Sequence, residues 1–189
     1  MSSIITITTD FGTVDPYVAV MKGTILRINP LVHIVDSSHN VRHGSLEHGA
    51  FLLSHILPYF DKKTIHMVIV DPGVGSNRKA IAISGPTGIF VGPDNGVLSA
   101  CLPENILPNV KRTISLPCNW KAVSLTKDRY FQNPVSTTFH GRDIFSPVAA
   151  HLSLGLDLLE LGPQIKKVKA LPKLRAKLQS NNRVVGKVM

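Results

Sequence analysis

The sequence predicts an α/β fold, an N-terminal three-layer domain in which helices flank a mostly parallel central sheet. Strand-like and helix-like segments alternate along the first part of the chain, which is the order that covers both faces of a sheet. Residues 65–70 form an almost unbroken apolar run, as expected for a parallel strand buried on both faces. Of the 189 residues, 43% are hydrophobic and 17% are charged, which is ordinary for a globular domain with a sizeable core.

Local patterns predict each element in turn. A β-branched run predicts a first strand over 4–8, and Asp15-Pro16 has the composition of a helix start, with an acidic N-cap and a proline in the first turn. Apolar residues at helical spacing continue that helix until Asn29-Pro30 ends it. Further strands are predicted over 32–35, 65–70, 80–84, 89–91, 111–116 and 123–125, and further helices over 46–57, 95–101 and 142–154.

Composition divides the chain into a body and a tail. Gly162-Pro163 predicts the end of the globular part, so residues 1–162 are interpreted as one α/β catalytic domain and residues 163–182 as a basic linker. Residues 183–189 begin a new strand, which needs a partner to pair with. We interpret them as the first strand of a truncated C-terminal domain.

The net charge of +9 at pH 7 comes from the tail. After Glu160 the sequence has eight basic residues and no acidic one, and the rest of the chain has 13 basic residues against 12 acidic ones. Such a tail can bind nucleic acid or another polyanion. It lacks the interleaved aromatic residues of a single-strand binder, so we interpret it as a solvated linker and keep polyanion binding as the alternative.

Cysteine usage and the absence of targeting patterns predict a reduced, cytoplasmic protein. No apolar run approaches the length of a membrane span. The N-terminus is short and uncharged, whereas a signal peptide needs a basic start and a longer apolar stretch. Cys101 and Cys118 have neither CxxC nor zinc-ligand spacing, and two thiols do not make a disulfide framework.

Three separated segments end strand-like runs in polar residues and form the candidate functional site. They are Thr-Thr-Asp-Phe-Gly at 8–12, Val-Asp-Pro-Gly-Val-Gly at 70–75 with Arg78 behind it, and Thr-Phe-His-Gly-Arg-Asp at 138–143. Open α/β folds build pockets from such strand ends. Asp10 and Asp71 directly follow apolar strands, where an ionised group needs a partner.

The second segment places two glycines between a carboxylate and a guanidinium. Because glycine permits turns that other residues resist, the loop can fold back so that Arg78 meets Asp71 or a bound anion. The segment is not a phosphate-binding P-loop, since it lacks the Gly-Lys-Ser/Thr sequence and a strong helix after it.

Several candidate residues also have a purely structural interpretation. Asp15 and Asp143 stand where N-caps stand, and the Asp-Asn-Gly sequence at 94–96 is typical of a tight turn. His140 precedes a helix start, where the helix dipole favours a neutral imidazole. A metal site made of His39, His140 and aspartates stays open as an alternative, although no two histidines have HxxxH-type spacing within a predicted helix.

Together these segments resemble the S-adenosyl-L-methionine (SAM) hydroxide adenosyltransferases, also called adenosine-forming SAM hydrolases, which are related to fluorinase and chlorinase. The resemblance covers about residues 4–162. In order, the matching pieces are 8–12 with Asp15, Tyr17 and Met21-Lys22-Gly23; 29–30 with 34–36; 49–51; 70–75 with Arg78; 92–96; and 138–145 with 149–152.

The resemblance implies an N-terminal α/β domain, a smaller C-terminal β-barrel domain that is absent here, and a homotrimer with sites between subunits. It implies that water or hydroxide attacks the ribose C5′ carbon of SAM and releases adenosine and L-methionine, with no cofactor and no metal. It assigns catalysis to Asp71, Arg78 and His140. The residues expected to bind substrate are Asp10, which matches a carboxylate that holds the ribose hydroxyls, and Phe11, Asp15, Asn95, Thr138 and Phe139.

The residue types suit this reaction. The sulfonium leaves as a neutral thioether and needs no general acid, so the task is to deliver a nucleophile in line with the C–S bond. Asp71 and His140 can orient a water and accept its proton, and Arg78 can stabilise developing hydroxide. The halogenases resemble one another in carrying tyrosine at the position of Asp71, and Gly141 stands where fluorinase has the serine that holds fluoride. A carboxylate at position 71 opposes a halide, which favours hydrolysis.

One departure from the family is the sequence His43-Gly44-Ser45, where the family usually has an aromatic residue near the ribose or adenine. The main alternative function is a non-catalytic SAM or adenosine binder, inactivated by loss of the C-terminal domain. A metallohydrolase that uses the aspartates and His140 is a further alternative.

Overall fold

The computed structural model describes residues 3–173, 176–178 and 184–186. Within these residues the chain forms eleven strands and three α-helices. The strands are β1 (Ile4–Thr9), β2 (His33–Ser38), β3 (Ile65–Ile69), β4 (Ala80–Gly85), β5 (Gly88–Pro93), β6 (Arg112–Ser115), β7 (Lys121–Ser124), β8 (Gln164–Ile165), β9 (Lys167–Ala170), β10 (Lys177–Leu178) and β11 (Val184–Val185). The helices are α1 (Tyr17–Ile28), α2 (Leu46–Ile56) and α3 (Ser146–Ser153).

Seven strands form the central sheet in the order β2-β1-β3-β5-β4-β7-β8. Strands β2, β1, β3 and β5 are parallel to one another, and β4, β7 and β8 continue the sheet in antiparallel pairs. The predicted α/β fold is therefore confirmed. In the parallel half Thr9 of β1 lies opposite Ile69 of β3, so the residues that follow these two strands emerge at the same edge.

Helices cover both faces of the sheet and give the three layers. On one face Met21 of α1 and Val148 of α3 join Met67 of β3 in a buried cluster. On the other face Leu53 of α2 packs with Val68. Neighbouring residues of a strand point to opposite faces, which explains why Met67 and Val68 belong to different clusters. In the described part of the chain, none of the helices combines the length and the apolar character needed to cross a lipid bilayer.

Two helix starts differ from the sequence prediction. Pro16 occupies the N-cap position of α1 and no side chain caps the helix, so the expected capping by Asp15 does not occur. The helix expected from residue 142 begins with a π-helical turn, Gly141–Phe145, and becomes α-helical only in α3. π-helical turns are rare and often occur at functional sites, and this one directly follows His140.

The tail differs from the linker that the sequence predicts from residue 163. β8 extends the central sheet beside β7, and β9 pairs antiparallel with β6 in a separate two-stranded sheet. Val168 and Ala170 of β9 are buried, whereas Lys167 and Lys169 are exposed. Locally these residues look like a charge run, but the alternation with period two is that of a half-buried strand. Of the strand expected over 183–189, only residues 184–186 lie within the described part, where β11 pairs with β10.

Asp94 connects β9 to the end of β5. Its Oδ1 accepts a hydrogen bond of 2.7 Å from the backbone N–H of Lys169, and its own N–H donates to the Lys79 carbonyl at 2.8 Å. Burial raises the pKa of Asp94, and the contacts with Lys169 and Lys79 oppose that effect. Asp94 is therefore a buried structural carboxylate that joins two separate sheets.

Candidate active site

A cavity of about 210 Å³ opens at the edge where β1 and β3 end. It brings together six of the nine site residues predicted from the sequence. Its lining residues are Asp10, Phe11, His43, Ile69, Asp71, Pro72, Val74, Thr138, Phe139, His140 and Gly141. Two larger cavities, of about 250 and 370 Å³, lie beneath residues 171–173 and beside Trp120, and none of the nine residues lines them.

The loop after β3 turns back and returns Arg78 to Asp71. Gly75 adopts a φ of +75°, and a Cβ atom at this position would overlap the carbonyl oxygen of Thr137. The hydroxyl of Ser76 donates to the Gly73 carbonyl at 2.6 Å and closes the turn. Only glycine fits at position 75, and its close approach to Thr137 joins this loop to the segment that carries His140.

Asp71 lines the cavity, and Arg78, which does not line it, forms a buried ion pair with Asp71. The Nε and Nη2 atoms of Arg78 donate to Asp71 Oδ2 at 2.8 and 2.5 Å. The two side chains are only 5% and 7% exposed, respectively, and such charges need each other because burial of either one alone is costly. The guanidinium also lies 5.5 Å from the centre of the Phe145 ring, at cation–π distance.

Burial and the contact with Arg78 both favour a neutral His140. The Nη2 atom of Arg78 lies 2.7 Å from His140 Nδ1, and since a guanidinium only donates hydrogen bonds, Nδ1 is the acceptor. This network assigns His140 as neutral, with its proton on Nε2. Burial lowers the pKa of His140 and the charge of Arg78 lowers it further, against the raising effects of Asp71 and Asp143.

The second oxygen of the Asp71 carboxylate, Oδ1, is buried and has no hydrogen-bond partner among the described residues. Buried polar atoms nearly always have a partner, so such an atom calls for a water or a ligand. Because Arg78 occupies Oδ2, Oδ1 is the oxygen that can accept a hydrogen bond from a small donor in the cavity.

A second carboxylate, Asp10, is held in the cavity wall by the loop between β2 and α2. Its Oδ2 accepts a hydrogen bond of 2.8 Å from the Gly44 N–H, and His43 Nδ1 lies 3.5 Å from the same oxygen. The Asp10 side chain is 5% exposed and the His43 side chain 95% exposed. His43 therefore belongs to the mouth of the cavity and Asp10 to its interior.

Aromatic rings form the apolar side of the cavity. Phe11 and Phe139 meet edge to face with their centroids 6.0 Å apart, and Tyr17 lies 6.1 and 5.2 Å from these two rings, respectively. A Cβ atom at Gly141 would lie 3.2 Å from Phe139 Cε2 and 3.3 Å from Phe11 Cε2, which is tighter than ordinary contact. Gly141 thus allows both rings to approach the backbone beside His140.

Asp143 is fully buried and holds the segment 136–140 in place. Its Oδ2 accepts hydrogen bonds from the Ser136 N–H at 2.8 Å and from Arg142 Nη2 at 2.9 Å, and its Oδ1 accepts one from Arg142 Nε at 2.5 Å. No side chain caps the helix that starts here, so the N-cap interpretation of Asp143 is wrong. The carboxylate fixes the loop that carries three of the expected site residues.

Asn95 and Asp15 do not line the cavity. The Asn95 amide donates to the Val70 carbonyl at 2.8 Å and accepts from the Val97 N–H at 3.0 Å. It therefore supports the backbone immediately before Asp71 and does not face the interior. Asp15 is exposed in the turn that precedes α1.

The donor set of the metal alternative is not assembled. Among the described residues, no group of three or more His, Cys, Asp or Glu side chains is close enough to hold a metal ion. His39 contacts Thr9 and Asp36, whereas His140 contacts Arg78.

Four residues that shape the site are not among the nine site residues predicted from the sequence: His43, Gly44, Ser136 and Phe145. Ser136 gives no signal in the sequence, because its backbone N–H and not its side chain meets Asp143. His43 and Gly44 do give one, since they precede α2 at the same edge of the sheet as the three segments. Phe145 lies within the segment 138–145 but has the appearance of a core residue.

A protein-family model described as the SAM hydroxide adenosyltransferase N-terminal domain matches residues 5–162. The chain belongs to this family. All three polar segments of the candidate site lie within the matched residues of the SAM hydroxide adenosyltransferase domain.

Individual relatives agree with this assignment. The (R)-S-adenosyl-L-methionine hydrolase of Salinispora tropica is 40% identical over 162 residues, which cover 86% of this chain and 58% of that protein. The fluorinase of an Actinoplanes species is 25% identical over 182 residues, which cover 84% and 57%, respectively. The crystal structure of an uncharacterised conserved protein from Thermotoga maritima matches with a TM-score of 0.80 and 34% identity, over 91% of this chain and 62% of that one. This chain thus spans less than two thirds of the length of each.

Proposed function

We propose that this chain is the catalytic part of a SAM hydrolase, which converts SAM and water to adenosine and L-methionine by attack on the ribose C5′ carbon. The observation that carries the proposal is the hydrogen-bonded set of Asp71, Arg78 and His140, in which one buried carboxylate oxygen has no partner among the described residues. The 40% identity to a protein named (R)-S-adenosyl-L-methionine hydrolase supports it. The names of the relatives favour turnover over the binding-only alternative.

In the proposed reaction Asp71 Oδ1 accepts a hydrogen bond from the attacking water and orients the oxygen of that water towards C5′. The new O–C5′ bond forms as the C5′–S bond breaks, and the electrons of that bond remain on sulfur, which leaves as the neutral thioether of L-methionine. The water proton passes to Oδ1 and then to solvent. Positioned bases of this kind contribute roughly 10²–10⁴-fold to a rate.

Arg78 and His140 hold that carboxylate in its working orientation. The two hydrogen bonds from Arg78 to Oδ2 leave Oδ1 as the free oxygen, and the guanidinium charge stabilises negative charge that develops on the attacking oxygen. Neutral His140 occupies the other side of Arg78 without adding a positive charge, which suits a site that must accept a sulfonium cation.

Asp10 and the aromatic wall supply the substrate contacts of the proposal. A carboxylate can accept hydrogen bonds from both hydroxyls of a ribose, and the Gly44 N–H fixes the orientation of Asp10. Phe11 and Phe139 offer π faces and edges beside the cavity, and aromatic rings stabilise nearby cations. Thr138 contributes a hydroxyl to the same wall.

We also propose that the active form is a homotrimer in which a neighbouring subunit completes the cavity, in the cytoplasm. The cavity of about 210 Å³ is smaller than the roughly 300–1,000 Å³ of pockets that enclose drug-sized ligands. Val14 is 98% exposed, Tyr17 47% and Val20 40%. Because Tyr17 contacts both rings of the aromatic wall, this apolar surface borders the cavity, and an adjoining subunit would cover it.

The direct test is chromatography of SAM after incubation with the purified protein. Both sulfonium epimers are supplied separately, because the relative's name specifies the (R) form, and parallel reactions contain added fluoride or chloride. We expect equal amounts of adenosine and methionine from one epimer, above a control without protein. A 5′-halogenated nucleoside would instead identify a halogenase. Binding of SAM in calorimetry without either product would identify the binding-only alternative.

A further inference from the structure

A second polar chain leads away from the candidate site at the ends of β1 and β2, from the buried Thr9 and His39 to the exposed Asp36. Thr9 Oγ1 lies 2.9 Å from His39 Nδ1, and His39 Nε2 lies 3.0 Å from Asp36 Oδ1. Lys22 Nζ completes the chain with a hydrogen bond of 2.5 Å to Asp36 Oδ2. None of the four residues lines the cavity. The order of hydroxyl, imidazole and carboxylate is that of a nucleophilic triad, but Thr9 is fully buried and cannot meet a substrate.

The hydrogen bonds of this chain accommodate a neutral His39 that accepts at Nδ1. The Phe11 N–H donates to Thr9 Oγ1 at 3.4 Å, so the hydroxyl hydrogen of Thr9 is available for His39 Nδ1. The His39 proton then resides on Nε2, which faces Asp36 at ion-pair distance, although the angle falls outside that of a hydrogen bond. Burial raises the pKa of Asp36, but the contacts with Lys22 and His39 outweigh it and lower that pKa overall.

A register shift in the sheet brings His39 to this position. β1 and β2 pair regularly up to Ile7 and Asp36, and Thr8 then pairs with Ser38, so one residue of β2 is skipped. Bulges of this kind redirect the side chains that follow and are common beside active sites. The shift allows Asp36 and His39 to contact each other across the end of the strand.

Residues 39–44, which follow β2, contact the chain on both sides of Asp10. The His39 carbonyl accepts the Gly12 N–H at 2.8 Å, and the Val41 N–H donates to the Thr9 carbonyl at 3.3 Å. Five residues beyond His39, the Gly44 N–H donates to the Asp10 carboxylate. Asp10 is therefore held between backbone contacts from the segment that His39 anchors.

We infer that His39 is a positioning residue: through Thr9 it fixes the Asp10 carboxylate and the Phe11 ring in the geometry that receives a ribose. This inference rests on the proposed function, in which Asp10 binds the ribose hydroxyls. His39 itself contacts neither the cavity nor the substrate. Asp36 and Lys22 hold the imidazole from the far side.

The test measures how well the protein distinguishes adenosine from 2′-deoxyadenosine, by calorimetric dissociation constants for Thr9→Val, His39→Leu and His39→Asn. The ratio of the two dissociation constants reports how well Asp10 is oriented towards the ribose, because the two ligands differ by one ribose hydroxyl. We expect His39→Leu and Thr9→Val to weaken adenosine binding about tenfold, the effect of roughly one lost or misdirected hydrogen bond, and to bring the ratio towards one. His39→Asn retains a group that can bond Thr9 and is expected to keep part of the ratio. At saturating SAM, the turnover of these three variants is expected to change by less than about threefold, since none of them alters the reacting carboxylate of Asp71.

Two further comparisons make the outcome decisive. His33→Asn changes an exposed histidine at the opposite end of β2 and is expected to leave both dissociation constants unchanged. In an Asp10→Asn background, His39→Leu is expected to have no additional effect on adenosine binding. An unchanged ligand ratio in both His39→Leu and Thr9→Val, or a full additional loss in the Asp10→Asn background, would overturn the inference alone. Failure of the unsubstituted protein to bind adenosine or SAM would instead remove the proposed function.

Discussion

The two oxygens of the Asp71 carboxylate have different roles in this site. Oδ2 accepts two hydrogen bonds from Arg78, and Oδ1 faces no partner within the described residues. A single residue therefore combines a structural ion pair with an open acceptor. Because the two oxygens differ in this way, we expect a substitution at Asp71 to lower turnover without an equal loss of ligand binding.

Asp71→Asn is expected to lower turnover of SAM by roughly 10²–10⁴-fold while the dissociation constant for SAM changes little, because the amide keeps the shape but is a poor proton acceptor. Single-turnover kinetics and calorimetry measure the two quantities. Asp61→Asn, in the exposed turn before β3 at the opposite edge of the sheet, is the matched control. Equal losses in turnover and binding would contradict the role assigned to Asp71.

His66 carries a buried imidazole far from the cavity. Its Nδ1 atom lies 2.9 Å from Thr6 Oγ1, and its ring stacks on Phe90 with centroids 5.3 Å apart. Burial lowers the pKa of His66 to about 4. Since the unfolded chain has the ordinary, higher value, the unfolded state takes up this proton first when the pH falls.

The unfolding free energy is therefore expected to be highest above about pH 6.5 and to fall towards pH 4, with His66 alone contributing a loss of roughly 2 kcal/mol by pH 5. Guanidinium chloride unfolding at several pH values measures this slope. His66→Gln keeps a hydrogen-bonding group for Thr6 but does not titrate, and is expected to flatten the curve. The lowered pKa values of His140 and His151 act in the same direction. An equal slope in His66→Gln and the unsubstituted chain would refute the assignment to His66.

Single residues also mark how far the sequence can be interpreted without a structure. Asp10 and Asp71 are predictable, because each follows an apolar strand and an ionised group there needs a partner. Asp143 is not, because the contact by which it holds the site loop is made to a backbone N–H seven residues earlier in the chain. Asn95 is expected to contact substrate but bonds the Val70 carbonyl, a difference that depends on the direction of one side chain.

At the scale of elements, the loop after β3 depends on the backbone of Gly75. Gly75→Ala is expected to lower both the unfolding free energy and turnover, the latter by at least about tenfold, because the new methyl group would overlap the Thr137 carbonyl and displace the segment with His140. Gly155→Ala is the control: its φ is +91°, but no atom lies within 4 Å of the added methyl group. Thermal unfolding and SAM turnover of both variants separate backbone strain from the clash. Wild-type turnover in Gly75→Ala would contradict the coupling of the two segments.

The elements also differ in how well local patterns predict them. β1, β3 and α1 are predictable, because each has an apolar pattern of the right period over its own length. β9 is not, since Lys-Val-Lys-Ala has too few apolar residues to stand out from a basic linker. Its burial comes from pairing with β6, about 55 residues earlier in the chain. Pairing over such a distance has no local signal.

At the scale of the whole molecule, the residues after 162 contribute to the fold. Val168, Ala170 and Leu171 are buried, and the Lys169 N–H is the donor to the buried Asp94. A chain shortened to residues 1–162 is therefore expected to lose roughly 3 kcal/mol or more of unfolding free energy, at about 1.5–3 kcal/mol for each large apolar side chain that becomes unburied. A chain of residues 1–173 keeps these contacts and is the control. Equal denaturant midpoints for the two would contradict this contribution.

The overall architecture and the approximate place of the site follow from the order of the elements, because parallel strands that end in polar residues must present them at one edge. The shape of the cavity does not follow. It depends on the approach of Gly75 to Thr137 and of Gly141 to two aromatic rings, and these distances are set by the packing of segments remote in sequence.

The contact between Gly75 and the Thr137 carbonyl also bears on how parts can be exchanged between relatives. A chimera that joins the first 100 residues of this chain to the remainder of a halogenase would contain the Gly75 loop of this chain and, opposite it, the halogenase segment that corresponds to Thr137. A chimera whose junctions leave residues 70–145 intact would keep the Gly75 loop and the Thr137 segment from the same protein. Libraries of such chimeras should therefore retain activity mainly when their junctions fall outside that interval.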